Sequence, residues 1–213
     1  MKNSVFILAV LALINCNKET TEIKVSNDSI QLDSSSKGTT DSTKPAIKKS
    51  EVLKNLNNAI LSSLKKKDFP EFASFIHPER GIRFSMYAYV DDKKDKHFTK
   101  EEFLKYIPTN IKFTWGQQDG TGDPLIMSIN NYLDQWVVAE NFSNVEFHLN
   151  SFKGTGNSLN NLPEKYPGLD FIENYKAGSG ESADFHWSAL RFVFEELNGV
   201  YYLVGVVNDS WTI

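Results

Sequence analysis

The sequence predicts an α+β domain, helices first and antiparallel strands after, and three observations carry that expectation. Apolar residues recur at three- and four-residue steps from Val52 to Leu64, the period of an amphipathic helix. Alternating apolar and polar runs crowd the last third of the chain, at 144–152, 170–178, 188–197 and 201–209. Asn198-Gly199 stands between the last two runs, a strong hairpin signal. With 213 residues, 40% hydrophobic and 13% aromatic, the chain has room for one sizeable core built largely from rings.

Each element has its own signal. Ser50 is placed to cap a first helix whose stripe is Val52, Leu53, Leu56, Ala59, Ile60 and Leu64. Lys65-Lys66-Lys67 close that helix, where lysines complement its dipole. "DFPEFASFI" reads as a short second helix, capped by Asp68, with Pro70 early and Phe69, Phe72, Phe75 and Ile76 turned inward. Pro78 and Gly81 end it. "GIRFSMYAYV" reads as a first strand, with Ile82, Phe84 and Met86 on one face and Arg83, Ser85 and Tyr87 on the other. "DDKKDKHF" reads as a solvated hairpin or loop. "TKEEFLKYI" reads as a helix with a Thr99–Glu102 capping box. "IKFTWG" reads as a short strand, "QQDGTGDP" as a turn, and Ser128–Val138 as a third longer helix. "KGTGNSLNNLPEKYPG" is a long loop rich in Gly, Asn and Pro.

Three segments are expected: a signal peptide at 1–15, a lipidated cysteine and flexible linker at 16–50, and a single α+β domain at 51–213. Lys2 is followed by the apolar run Val5–Ile14 and then by Cys16, the chain's one cysteine. A run of about ten residues suits a secretory signal and is short of the about 20 that span a bilayer. Residues 17–50 hold no aromatic residue and are rich in Ser and Thr, a composition that cannot offset its own ordering entropy. One cysteine excludes an internal disulfide and a cysteine-based zinc site. A net charge of −4 argues against a nucleic-acid surface while leaving room for a local basic patch.

Leu13-Ile14-Asn15-Cys16 resembles the lipobox of bacterial lipoproteins, with Asn15 departing from the usual Gly, Ala or Ser. That resemblance implies cleavage before Cys16, acylation of it by palmitate-type chains, and attachment to a membrane of the bacterial envelope. Asn17-Lys18-Glu19 points to the outer membrane. The order of elements resembles the nuclear-transport-factor-like fold, which implies a bent antiparallel sheet wrapped around N-terminal helices into a cone with an open pocket. "IHPERGIRFS", "WGQQDGTGDP", "GTGNSLNN", "LRFVFEELNGVYYLVGV" and "NDSWTI" resemble a group of uncharacterised bacterial lipoproteins, which implies no activity.

Several motifs fall short of a chemistry. Gly178 to Ala183 fits the letters of a dinucleotide fingerprint without the βαβ unit that makes it work. Asp119 to Asp123 resembles a calcium loop, but Pro124 and Asn130 stand where an EF-hand places Gly and Glu. His77-Pro-Glu79 lacks the Cys-x-x-Cys of a zinc deaminase. No metal or cofactor is therefore expected.

The candidate site is the polar side of the strands. Arg83, His148, Glu173 and Arg191 all fall where alternation sets them apart from aromatic and aliphatic neighbours, beside Glu146 and Glu195. Facing the interior, they would line a pocket in which the arginines clamp an anion. Facing outward, they would be a cross-strand ion-pair ladder. Glu79 and Arg80 belong in solvent, and Arg191 is the expected partner of Arg83. The functional expectation is a lipid-anchored envelope protein, held to the membrane through Cys16, that binds a small molecule or an envelope protein and no nucleic acid. A hydrolase or isomerase using the cone pocket is the alternative.

Overall fold

The computed structural model describes residues 43–211. Helix α1 spans Thr43–Lys66, so Ser50 lies within the helix rather than capping it. Leu53, Ile60 and Leu64 are buried as the period requires, while Val52 turns to solvent. The stripe also contains Asn57, which is buried and exchanges two side-chain hydrogen bonds with Asn174, each 2.9 Å. That pair satisfies both amides in the core and fixes the helix against the sheet. The helix ends at Lys67, whose φ of 56° turns the chain out and whose Nζ reaches Asp134 at 2.7 Å.

Helix α2 (Phe69–Phe75) is capped by Asp68, which accepts from the Glu71 amide, with Pro70 in its first turn. Strand β1 is short, Ile82–Ser85, and the chain bends away after Ser85 instead of running extended to Val90. Strand β2 (Lys96–Phe98) sits inside the stretch expected to be a loop, and Phe98 is in the core. Helix α3 (Lys100–Tyr106) carries the Thr99–Glu102 capping box. Strands β3 (Phe113–Gln117) and β4 (Pro124–Met127) form a separate hairpin, so the Asp119–Asp123 segment is its loop.

The expected longer helix is instead α4 (Ile129–Tyr132) running into a π-helical turn, Leu133–Val137, that ends at Val138 with φ 39°. Then come β5 (Glu146–Leu149), α5 (Leu162–Lys165), β6 (Asp170–Lys176), β7 (Ser188–Leu197) and β8 (Val200–Ser210). The main sheet runs β2-β1-β8-β7-β6-β5; β1 is parallel to β8 and every other neighbouring pair is antiparallel.

Both faces of this sheet are covered. One face packs on α1–α4 through Phe84, Ile172, Leu190, Phe192, Phe194 and Val206. The space where a cone would be open is filled by rings. Phe84 touches Phe98, Phe103, Trp115 and Tyr132, with centroids 5.9–6.4 Å apart. Trp115 and Tyr132 stack at 3.7 Å. Their polar ends are satisfied: Trp115 Nε1 donates to the Met127 carbonyl, and Tyr132 Oη accepts from Asn208. The pocket implied by the resemblance is thus closed at its centre.

The other face is covered by residues 150–169, the segment expected to be only a loop. Phe152, Leu162, Tyr166 and Leu169 pack there on Phe171, Val193, Val204 and Val207. Asn161 clamps the cover by hydrogen bonding both the N–H and the carbonyl of Val90. Gly154 passes so close to Trp187 that a Cβ would lie 2.5 Å from its ring, which only glycine permits.

Candidate functional site

The alternation placed the four candidate residues on one side of the sheet, and the register shows how they fall. His148 on β5, Glu173 on β6 and Arg191 on β7 are consecutive cross-strand neighbours, and the row continues to Val207 on β8 and Ser85 on β1. Arg83 lies two residues along β1, opposite Gly205. Cys16 lies outside the described residues.

Glu173 and Arg191 form a sealed cluster with Asp209. Arg191 Nε donates to Glu173 at 2.7 Å and Nη2 to Asp209 at 2.5 Å. The other Glu173 oxygen accepts from the backbone amides of Lys153 (2.6 Å) and Gly154 (3.0 Å), both in the cover. The guanidinium lies 4.8 Å from the Phe152 ring centroid and also donates to the Gly154 carbonyl. Arg191 and Glu173 are 0% exposed, so nothing can reach them without lifting the cover. Burial pushes the Asp209 carboxyl above its usual range, opposed by the Arg191 charge. These are the contacts of a structural clamp holding the cover to the sheet. Asp209 was missed by the sequence reading because it is a diagonal neighbour two residues beyond the row.

His148 stands apart on the edge strand, with Nε2 3.4 Å from Glu146 Oε1. Arg83 does not meet Arg191. Its Nη1 donates to the carbonyls of Asp92 and Asp95, and its Nε lies 3.7 Å from the Asp92 carboxylate. Among the described residues, no group of three or more His, Cys, Asp or Glu is gathered as a metal site would require.

The open concavity lies where the chain leaves β1. Tyr87 and Tyr89 separate an outer groove of about 690 Å³ from an inner chamber of about 240 Å³, and Gln117 borders both. The groove is walled by Gln118, Asp119 and the glycines of the β3–β4 loop on one side and by Ser158 and Leu159 of the cover on the other. Tyr89 is 51% exposed, an aromatic platform facing solvent. Tyr87 is held in place, its hydroxyl accepting from the Asp119 amide and its ring packed edge-on against Trp136 at 5.8 Å. No lysine or arginine is among the described residues lining the groove. The sequence reading ran the first strand on through Val90, and so put Tyr87 on a strand face with Arg83 and Ser85 instead of at a mouth.

The inner chamber reaches Ser85, Asp91, Lys94, Asp95 and Trp115. Burial raises the Asp95 carboxyl to about 6, against hydrogen bonds from the Asp91 amide and Ser85 and the charge of Arg83. Because this folded value lies above the ordinary 3.8, the unfolded chain releases the proton first. The resulting stabilisation is whole below about 3.8 and is lost as pH rises through about 6. Asp95→Asn is therefore expected to flatten the pH dependence of stability in that window and to be more stable than wild type at neutral pH, by on the order of 1–3 kcal/mol. Urea denaturation at a series of pH values checks it.

No protein-family model matches the chain, and no curated protein matches it. Among solved structures, a chain titled as an "Rd1NTF2" variant matches over 75% of this chain and 98% of its own, at 11% identity and a TM-score of 0.37. So loose a superposition leaves the architecture to be read from the chain's own helices and sheet.

Proposed function

We propose that this is a lipid-anchored protein of the bacterial cell envelope, held at the outer membrane through Cys16, with a nuclear-transport-factor-like domain that binds a small molecule at the Tyr87–Tyr89 cleft. The observation that carries the binding reading is the cleft itself. It is a concave, partly preformed groove with an exposed ring, a restrained second ring and a few amide and carboxylate groups, the usual make-up of a ligand site. The lack of lysine and arginine along the groove favours an uncharged ligand over an anionic one. The anchor rests on the sequence alone, on the apolar run that ends at Cys16. Several acyl chains, at about 0.8 kcal/mol per buried CH₂, would hold the protein stably.

Two experiments test the two halves. Cys16→Ser is expected to move the protein from the membrane to the soluble fraction on cell fractionation; unchanged membrane association of the variant defeats the anchor. A native mass spectrum of the full chain purified from its host is expected to show a non-covalent small molecule that Tyr89→Ala loses. A spectrum free of any such species, or one unchanged in the variant, defeats the cleft as the binding site.

A hydrolase or isomerase is favoured by one observation, the Asp95 carboxyl that burial holds near neutrality in the inner chamber. That reading requires turnover that Asp95→Asn abolishes while ligand binding persists.

A further inference from the structure

Two of the chain's three arginines line one niche on the covered face of the sheet. Arg80 comes from the turn after α2, Arg83 from β1, His97 from β2 and Lys165 from α5. With Asp92, Tyr166 and Val204 they line a niche of about 90 Å³. No residue lines both this niche and the cleft.

The niche is cationic. Three permanent positive charges line it with one carboxylate, that of Asp92, and a second carboxylate, Glu195, pairs with Arg80 from outside the lining, which leaves a net positive charge. Asp92 bridges Lys165 Nζ at 2.8 Å and Arg83 Nε at 3.7 Å, yet its side chain is 58% exposed. It is a solvated carboxylate resting on two cations that are held by the fold. Arg83 is oriented by the Asp92 and Asp95 carbonyls, and Arg80 by Glu195 at 2.6 Å. Guanidiniums fixed in this way are suited to oxyanions, to which they donate in pairs.

A second observation is independent of charge. Tyr166 is 6% exposed, and its buried hydroxyl has no hydrogen-bond partner among the described residues. The hydroxyl oxygen lies over Gly205, 3.0 Å from where a Cβ would stand, and Gly205 is the register partner of Arg83. A side chain at 205 would crowd this hydroxyl and the Val193 side chain. A buried hydroxyl left without a partner is costly, and a native fold tolerates it where something else accepts its proton.

We infer that the niche formed by Arg80, Arg83, Lys165 and the Tyr166 hydroxyl binds one phosphate-type oxyanion, with Asp92 as the displaceable internal occupant of its rim. The volume admits a single group of that size and not an extended polyanion. Tyr166 donates to one ligand oxygen, the arginines and Lys165 hold the others, and Asp92 swings into water when the ligand enters. The phosphate is either free or the headgroup of a membrane lipid.

The test is calorimetric titration of the detergent-purified full chain with inorganic phosphate at low ionic strength in a chloride buffer. Saturable one-to-one binding is expected, weakened at least tenfold in Arg83→Gln and in Tyr166→Phe and tightened in Asp92→Asn. Tyr166→Phe keeps the ring and removes a buried hydroxyl that bonds nothing in the fold, so its melting temperature is expected to equal or exceed that of wild type. Sedimentation with phosphatidate vesicles against phosphatidylcholine vesicles separates the sources. Arg83-dependent preference for phosphatidate assigns the lipid headgroup, and its absence alongside binding of inorganic phosphate assigns the free ion. Absence of both inorganic phosphate and phosphatidate binding in wild type and in Asp92→Asn, or binding that Arg83→Gln leaves unchanged, overturns the inference.

Discussion

Replacing Arg191 with leucine is expected to destabilise the domain by about 3–5 kcal/mol, because it strands Glu173 and Asp209 as buried carboxylates without their cation. The loss of the guanidinium also removes the contact to Phe152 and the bond to Gly154, which hold the cover down. Denaturant titration of the full chain measures the change. Adding Glu173→Gln to the leucine variant is expected to recover part of it. Glutamine removes one of the two uncompensated charges while its Oε1 still accepts the Lys153 and Gly154 amides. Such non-additivity is the mark of groups acting as one cluster. A loss below about 1 kcal/mol for Arg191→Leu would mean that the cluster is solvated and worth no more than a surface pair.

Phe84→Ala is expected to cost a similar amount, about 3–5 kcal/mol, for a different reason. Phe84 is fully buried on β1 and is the ring common to contacts with Phe98, Phe103, Trp115 and Tyr132. Removing it leaves a void between the sheet and α3 that the stacked Trp115–Tyr132 pair is too constrained to fill. Trp115 Nε1 is tied to Met127 and Tyr132 Oη to Asn208. Phe84→Leu should cost less, since it keeps most of the apolar volume. The melting temperatures of both variants check this. Were the interior an open ligand pocket, Phe84 would line it and its truncation would be nearly neutral.

How far the sequence reaches is visible in particular residues. The stripe of α1 and the antiparallel run from β5 to β8 were legible because a period of 3.6 or 2 persists over enough residues to be seen. Strands β2 and β4 have three and four residues, too few for any period. Asn57 was invisible because its partner, Asn174, is 117 residues away. Alternation set Glu173 and Arg191 on a common face, but it distinguishes a buried face from a solvated one only when one of them is exposed. Here both are buried, since Phe152, Leu162, Tyr166 and Leu169 cover the second face from irregular positions in a segment that composition marks as loop. The same cover brings Lys165 and Tyr166 beside Arg83, which shares its niche with Arg80, exposed as expected, and not with Arg191.

Whether function lies at the open cleft or on the arginine-bearing face beneath the cover depends on that cover staying closed. Amide hydrogen exchange at residue resolution reads this most directly. The Lys153 and Gly154 amides, bonded to the buried Glu173 carboxylate, are expected to exchange only with global unfolding, while Gly120 and Thr121 at the rim of the cleft exchange fast. Rapid exchange at Lys153 and Gly154 under native conditions would contradict a sealed Arg191 cluster and return it to the list of groups that can meet a ligand.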